Sequence, residues 1–296
     1  MIWFLILVTL ISRMPSINGL SLPDNKPDEK GNISNRRYAD YLENGFWLST
    51  GRIPFLWNLH SHELNSGFDT YPKDGKIKFN VTGWNDELRQ QPPDNDGLTE
   101  QHRKLAREAF KLYEENLGID FVETTGNDAD IFFKDNAKQG GYYWSVTPPT
   151  KAYSSDILYT KDYPLVSFIN ITDGGEDTGL DSHTFLTYIH EIGHSLGLGH
   201  DGDYNYDDNN PEATHYKNAG PYLNSSQQST MMSYFLVPSE ENNLDTPGMV
   251  NNNIIESNFV RSNSPMPIDW LALDNMYKDQ GYGISNSFNG DTRYGV

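Results

Sequence analysis

One stretch of eleven residues constrains this chain more than any other, and it reads HEIGHSLGLGH from His190 to His200. On a helix, His190 and His194 are one turn apart and project from the same face, where two imidazoles can bind one metal ion. Gly197 lies just past that turn, where glycine can end a helix in a left-handed conformation without steric cost. His200 can then return as a third ligand. Three protein nitrogens with one open position are typical of a catalytic zinc site rather than a structural one.

The carboxylate within this stretch, Glu191, stands beside the first predicted ligand. A general base for zinc-bound water is expected at that place. The alternative is a surface helix that happens to be rich in histidine. Because three histidines, a glutamate and a glycine must all fall in register, chance agreement is rare. We therefore favour a catalytic site with Zn²⁺ as its cofactor.

Charge and composition exclude several partners and ligand types. The chain has 296 residues, enough for one large domain or two small ones, and a net charge of −19. Such an acidic surface repels phosphate backbones and anionic lipid headgroups, so we expect neither nucleic acid nor a membrane surface as a partner. The chain contains no cysteine. Metal ligands therefore cannot be thiolates, and no thiol can hold zinc in a latent proenzyme.

The N-terminal region predicts export. The apolar run Ile2–Ile11 is too short to span a bilayer, which takes about 20 apolar residues, but it fits the core of a signal peptide. We predict a signal peptide over residues 1–19, cleaved near Gly19, and a secreted, extracellular protein; the alternative is an uncleaved anchor. Leu20–Asn44 is polar and predicts a flexible segment, a candidate propeptide. Residues 45–296 then form the predicted catalytic domain.

Hydrophobic periodicity predicts an α+β fold. A helix from Thr99 to Leu117, with Gly118 as its stop, precedes the helix that carries the histidine motif, which Asp181 or Ser182 can cap. We predict an upper lobe with a twisted mixed sheet and two long helices, and an irregular lower lobe with one helix. The motif helix would lie at the base of the cleft between the lobes. The predicted strands are Ile53–His60, Lys76–Val81, Ile119–Glu123, Ala129–Lys134, Tyr142–Val146 and Leu165–Ile171, and the C-terminal helix is Ile268–Lys278.

A second constellation follows the zinc motif at Ser229–Phe235, which reads STMMSYF. The extended zinc motif followed by a methionine-containing turn is the metzincin signature, and Met232-Ser233-Tyr234 fits the turn best. The surrounding residues resemble the serralysin subgroup over roughly Leu98 to the C-terminus. The matching residues are His190–His194, Leu196–Leu198, Gly202–Asn205, Met232–Phe235, Pro267–Asp269 and Gly290–Gly295.

The resemblance implies a zincin-like, two-lobed metalloprotease fold and roles for further residues. Met232 would form a hydrophobic floor beneath the three histidines. Tyr234 would coordinate zinc and move to hydrogen-bond the developing oxyanion, a role that suits a phenol. The alternative for both residues is ordinary core packing. In metzincins an edge strand in the region of Leu165–Ile171 binds an extended peptide through main-chain hydrogen bonds, whereas the alternative here is a buried strand.

The chain also departs from the serralysin pattern. Serralysins continue into calcium-binding glycine-rich repeats, whereas this chain ends at Val296, so we expect a catalytic domain that lacks the RTX repeats. Carboxylates from Asp201 to Glu212 imitate a calcium loop, but Tyr206 stands where an EF-hand needs glycine. We favour a solvated loop there, and calcium stays an unsupported alternative.

The chain also contains further histidines and four glycosylation sequons. The sequons matter only in a cell that glycosylates its exports. Their asparagines are Asn32, Asn80, Asn170 and Asn224. His60 and His62 alternate on one face of a predicted strand, and two histidines alone rarely form a metal site. His102, His183 and His215 are isolated and are predicted to be surface or packing residues.

The sequence thus predicts a secreted zinc-dependent endopeptidase that acts as a monomer on protein or peptide substrates. It would hydrolyse peptide bonds by Glu-assisted attack of zinc-bound water, with His190, His194 and His200 as metal ligands and Glu191 and Tyr234 as catalytic residues. The alternative is a non-catalytic, zinc-stabilised peptide-binding or adhesive module. A metalloprotease of the matrixin type is a third interpretation, which the missing thiol disfavours.

Overall fold

A mixed sheet and two long helices organise the part of the chain that the computed structural model describes. The described residues are 33–50, 56, 57, 59, 74–83, 96–146, 166–172, 178–205, 222, 224–235 and 262–287. This combination agrees with the predicted α+β class. Among the described helices, none is both long enough and apolar enough to cross a membrane. The predicted signal peptide, the strand Ile53–His60 except for three residues, and the end of the chain lie outside the described residues.

Within the described ranges, six α-helices and four strands are numbered in chain order. A π-helical segment, Tyr41–Gly45, joins the first two helices, and a 3₁₀ turn, Lys278–Gln280, follows the fifth. The helices are α1 Asn35–Asp40, α2 Phe46–Ser49, α3 Glu100–Leu117, α4 His183–Ser195, α5 Pro267–Tyr277 and α6 Ile284–Ser287. The strands are β1 Lys76–Asn80, β2 Asp120–Glu123, β3 Ile131–Val146 and β4 Val166–Thr172.

The sheet has the order β2-β1-β3-β4, and β1 runs parallel to both β2 and the start of β3. β3 pairs with β4 twice, with register shifts in between. Ser167 of β4 is paired with both Ile131 and Ser145, and Asn170 with both Lys134 and Tyr142. A strand residue has only two sides for pairing, so β4 is an interior strand and residues 141–146 occupy its outer side.

Two strand predictions therefore need correction. Ala129–Lys134 and Tyr142–Val146 were expected as separate strands, but they form the two ends of one irregular strand, β3. The proposed role of Leu165–Ile171 as a peptide-binding edge strand is wrong, because β4 has partners on both sides and its residues Ser167–Ile171 are buried. A mostly apolar strand of this kind is typical of a position inside a sheet.

The predicted long helix from Thr99 is confirmed, including both ends. The Thr99 hydroxyl accepts the amide of His102 at 3.4 Å, and Gly118 ends α3 in a left-handed conformation with φ 72°. Apolar residues at helical spacing form a stripe along α3 that faces the core, and of these Leu112 is only partly buried. The buried members of the stripe are Leu105, Ala109, Tyr113 and Leu117.

Helix α4, which carries the zinc motif, is buried around its whole circumference apart from its first residue. It packs between α3 on one side and β3 and β4 on the other. Ser182 caps it by accepting the amide of Phe185 at 3.0 Å. At its C-terminal end Gly197 has φ 106°, and the amide of Leu198 donates to the Gly193 carbonyl at 3.0 Å. This pattern is a Schellman motif, and it confirms the predicted left-handed stop.

The prediction of a flexible segment up to Asn44 is wrong for its last eleven residues, Ser34–Asn44. The structure has α1 and the π-helical segment here, and Tyr38, Ala39 and Leu42 lie in the main core. The polar residues between these positions make the segment look polar on average, but helical spacing places the apolar residues on one face. Cleavage of a signal peptide or propeptide before Ile33, and the domain boundaries given above, remain predictions.

Candidate metal centre

The structure brings the three histidines of the motif together. His190 and His194 lie on α4, His200 lies in the loop after it, and one ring nitrogen from each is within 4.8 Å of the other two. All three are at least nine-tenths buried. Their Nε2 atoms approach closely, at 3.3 Å between His190 and His200 and 3.0 Å between His194 and His200. Four-coordinate zinc with bonds of about 2.0–2.1 Å requires nitrogens about 3.4 Å apart, so this spacing fits the metal.

Each histidine ring is fixed through its other nitrogen. Nδ1 of His190 donates to the Met231 carbonyl at 2.8 Å, and Nδ1 of His194 donates to the Leu198 carbonyl at 2.7 Å. Nδ1 of His200 donates to the Tyr204 carbonyl at 2.7 Å. A carbonyl can only accept, so in the neutral rings the three Nε2 atoms carry lone pairs that converge on one point. Converging lone pairs repel one another unless a cation lies between them. The donor set therefore fits a metal ion.

Burial favours the neutral form that metal binding requires. The pKa of the His190 imidazole is lowered to about 4, mainly because the buried ring loses its hydration. The neighbouring Glu191 is also buried, and burial raises the pKa of its carboxyl to about 8. A cation held by the three imidazoles acts in the opposite direction and favours the carboxylate. Glu191 thus lies where its charge state depends on the metal.

Met232 packs against the motif helix between the two helical histidines. A Cβ on Gly193 would lie 2.8 Å from the Met232 sulfur, so the absence of a side chain at Gly193 allows this contact. Met232 itself is fully buried. This placement agrees with a hydrophobic floor beneath the histidines, and it also agrees with core packing.

The methionine turn is held by a residue whose role the sequence did not reveal. The buried carboxylate of Asp269, at the start of α5, accepts the amides of Met231 and Met266, both at 2.7 Å. It also accepts the hydroxyl of Thr230. Loss of hydration raises the pKa of this carboxyl to about 6. In the sequence, Asp269 stands out only as part of Pro267–Asp269, a stretch that resembles serralysins near the start of a predicted helix. Its contact with the methionine turn was not predicted.

Tyr234 lies beside the histidine cluster. Its ring centroid is 4.6 Å from that of His200 and 5.7 Å from that of His190. The side chain is partly exposed, and its backbone amide donates to the Tyr204 hydroxyl at 3.2 Å. A phenol that is partly exposed next to the candidate metal can reach a substrate, whereas a purely structural core tyrosine has no need of exposure.

The loop that carries His200 uses its acidic residues for internal contacts. The buried carboxylate of Asp201 accepts the hydroxyls of Tyr38, at 2.6 Å, and of Tyr204. The carboxylate of Asp203 accepts the hydroxyl of Tyr41. Asp201 and Asp203 are the first two acidic residues of the stretch that imitates a calcium loop. Their carboxylates already accept tyrosine hydroxyls, which disfavours calcium binding there. Tyr38 was missed as a site residue because its contact with Asp201 joins distant parts of the chain. Tyr204 and Asp201 lie within four residues of His200, but the sequence pattern does not specify their contacts.

Other polar residues singled out in the sequence lie apart from the cluster. His102 is buried on α3 with its ring edge against Tyr188, and His183 is exposed at the start of α4. The sequon residues Asn80 and Asn170 are buried, so neither amide is accessible to a glycosyltransferase in the folded chain. Asn224 donates to the Ile33 carbonyl at 3.1 Å. Outside the described residues lie His60, His62, His215 and Asn32.

Comparisons with known proteins point to one group. No protein-family model matches the chain. A serralysin of Photorhabdus sp. (strain Az29) is 31% identical over 141 residues, which are 47% of this chain and 27% of that protein. A serralysin of Photorhabdus luminescens is 30% identical over 148 residues, 49% of this chain and 28% of that protein. A serralysin of Proteus mirabilis is 28% identical over 176 residues, 54% of this chain and 34% of that protein.

These matches cover a minority of each relative, since the chain spans only 27% to 34% of the serralysins quoted above. Among the described residues, His190, His194 and His200 form a cluster that can bind a metal ion. The chain is therefore a distant and partial homologue of serralysins over about half of its length.

Proposed function

We propose that this protein is a zinc-dependent endopeptidase. The observation that carries the proposal is the arrangement of the three imidazoles. Their Nδ1 atoms donate to backbone carbonyls, and Nε2 of His200 lies 3.3 Å from that of His190 and 3.0 Å from that of His194. His190, His194 and His200 would hold the metal and leave one position open. A structural zinc site is usually closed by a fourth protein ligand, and among the described residues no fourth histidine, aspartate or glutamate joins the cluster.

Each catalytic role follows from chemistry and position. When bound, zinc would lower the pKa of a coordinated water and polarise the substrate carbonyl. Glu191 would accept the proton of the attacking water and deliver it to the leaving amine nitrogen. Tyr234 would donate its hydroxyl to the oxyanion that develops on the substrate. The buried position of Glu191 and the partial exposure of Tyr234 support this division of roles.

The substrate class would be protein or peptide, bound as an extended strand. Because β4 is interior, we assign the substrate-binding edge to residues 141–146, which lie on the outer side of β4 in the described sheet. Main-chain groups at such an edge can pair with an added strand. We further propose secretion through the apolar N-terminal run, a two-lobed catalytic domain and a monomeric enzyme. The serralysin similarity supports the protease class at family level only.

The decisive assay measures cleavage of an unfolded protein such as casein with and without 1,10-phenanthroline. We expect cleavage that the chelator abolishes and that added Zn²⁺ restores. Stoichiometric zinc without cleavage would favour the non-catalytic binding module instead. Cleavage that persists in the chelator would contradict the zinc mechanism.

A further inference from the structure

The third candidate ligand lacks the support that a helix gives the other two. His190 and His194 are fixed by the backbone of α4, whereas His200 belongs to the irregular stretch Gly197–Asp203, here called the third-ligand loop. A loop needs outside contacts to hold one side chain in a defined position. Most of the contacts that serve this purpose come from one place, Ile33–Ser49, here called the N-terminal segment.

The N-terminal segment is hydrogen-bonded to the backbone of the third-ligand loop. The amide of Gly199 donates to the Leu42 carbonyl at 2.7 Å, and the indole N–H of Trp47 donates to the Gly197 carbonyl at 2.8 Å. A Cβ on Gly199 would lie 2.5 Å from the Cβ of Phe46, so the two backbones approach as closely as glycine allows. These contacts fix the loop immediately before His200.

Aromatic packing from the same segment fixes the ring of the ligand itself. The Phe46 ring is edge-on to the His200 ring with centroids 5.0 Å apart, and it stacks near His194 with centroids 6.5 Å apart. Phe46 is almost fully buried. On another side, the Tyr204 ring stacks on the His200 ring with centroids 5.2 Å apart and planes 13° apart. Rotation of the His200 ring is therefore hindered by both neighbours.

A chain of hydrogen bonds joins the segment to the nitrogen that orients His200. The Tyr38 hydroxyl donates to Asp201 at 2.6 Å, Asp201 also accepts the Tyr204 hydroxyl, and the Tyr204 carbonyl accepts Nδ1 of His200 at 2.7 Å. The three residues that these hydrogen bonds link to His200, namely Tyr38, Asp201 and Tyr204, are all buried. Loss of the Tyr38 hydroxyl would leave the buried Asp201 carboxylate with one acceptor site unfilled and loosen the group that sets the histidine tautomer.

We propose that the N-terminal segment positions the third metal ligand, with Tyr38 and Phe46 as positioning residues, and that every active form of the protein retains it. A propeptide extending to Asn44 is incompatible with this role, so any maturation cleavage lies before Ile33. The proposal rests on the assignment of His190, His194 and His200 as zinc ligands. Zinc affinity would then depend on the N-terminal segment, which is far from the histidine motif in the sequence.

The test measures the zinc dissociation constant of the metal-free full-length protein by competition with a chromophoric chelator. Variants are Tyr38→Phe and Phe46→Leu, which replaces the aromatic ring with a smaller apolar side chain, and the matched control is Tyr282→Phe, whose hydroxyl lies against Gly75 rather than the third-ligand loop. Loss of an outer-shell partner typically weakens metal binding 10- to 100-fold. We expect about tenfold weaker zinc for Tyr38→Phe and less than a twofold change for the control.

A second readout separates positioning from general stability. Melting temperatures with and without zinc should show a smaller zinc-induced rise in Tyr38→Phe and Phe46→Leu, whereas a merely structural role lowers both temperatures equally. Wild-type zinc affinity in both variants would overturn the proposal, as would an active secreted form that begins at Ser34 or later. If the wild type binds zinc but cleaves no peptide, the proposed function fails while the zinc affinities still decide this inference.

Discussion

The helix and the loop that carry the candidate ligands hold their histidines by different means. On α4, spacing within one helix aligns His190 and His194, and caps at Ser182 and Gly197 define where that helix begins and ends. The third-ligand loop has no such internal order, and it depends on contacts from the N-terminal segment and from Tyr204. Two of the three ligands are therefore placed by local sequence, whereas the third also depends on residues far away in the sequence.

Removing a ligand from either part should have the largest effect. His194→Ala and His200→Ala each delete one of three imidazoles, so zinc binding should weaken by more than the about 100-fold typical of outer-shell changes. Cleavage should fall below detection. Zinc content after gel filtration and a casein assay measure both effects. A variant that keeps one zinc per chain with normal affinity would show that its histidine is not a ligand.

Alanine substitutions at one glycine of the loop and one of the helix compare how much added volume each tolerates. A Cβ at Gly199 would lie 2.5 Å from Phe46 Cβ, close to a backbone that cannot give way, whereas a Cβ at Gly193 meets the flexible sulfur of Met232 at 2.8 Å. Gly199→Ala should destabilise the fold by about 1–3 kcal/mol and weaken zinc binding. Gly193→Ala should cost less, within about 1 kcal/mol, since alanine also favours the helix. Urea unfolding of the metal-free variants, followed by zinc titration, checks the order, and the reverse order would contradict the comparison.

The methionine turn provides a third contrast. Asp269→Asn replaces a carboxylate that accepts three donors, and the amide places its own N–H groups against them. We expect a loss of about 1.5–3 kcal/mol in the free energy of unfolding. The control on the same helix, Asp274→Asn, affects a partly exposed carboxylate that accepts the Ser285 amide at 2.8 Å, and should cost less than about 1 kcal/mol. Equal losses in a denaturant titration would remove Asp269 from the support of the turn.

The smallest effect is expected on the far face of α3. Arg107 donates to Glu123 through Nε at 2.7 Å and Nη2 at 2.9 Å, and this pairing lowers the pKa of the Glu123 carboxyl. The pair therefore stabilises the fold above the ordinary carboxyl pKa and loses that contribution as the pH falls through the lowered value. Arg107→Gln should cost at most about 1 kcal/mol at pH 7 and nothing measurable once the pH has fallen below the lowered pKa of Glu123, with unchanged zinc affinity. A pH series of unfolding curves measures it, and a loss that persists at low pH would exclude the ion pair as its cause.

The features that the sequence predicted well are those that depend on neighbours along the chain. The caps of α3 and α4, the left-handed stop at Gly197 and the meeting of the three histidines follow from spacing and turn chemistry. β2 and most of β1 were also predicted at nearly their observed bounds. In each of these elements the decisive residues lie within a few positions of one another.

The features that the sequence did not predict depend on contacts between elements that are far apart in the sequence. The helical N-terminal segment looked polar because its buried residues, such as Tyr38 and Leu42, are separated by charged ones, and their burial is only evident beside the third-ligand loop. The interior position of β4 depends on β3 passing along both of its sides, which the hydrophobic pattern of β4 cannot specify. Asp269 and Asp201 are ordinary carboxylates in the sequence, and only the fold supplies their donors.

The variant Glu191→Gln tests the central claim most directly, because it keeps the size and shape of the side chain but removes its ability to accept a proton. Bound zinc per chain and the rate of casein cleavage are measured on the same preparation, beside the wild type. We expect one zinc in both proteins and a cleavage rate reduced by at least about 100-fold in the variant. A variant that binds zinc and cleaves casein at nearly the wild-type rate would contradict the assignment of Glu191 as the general base and, with it, the proposed mechanism.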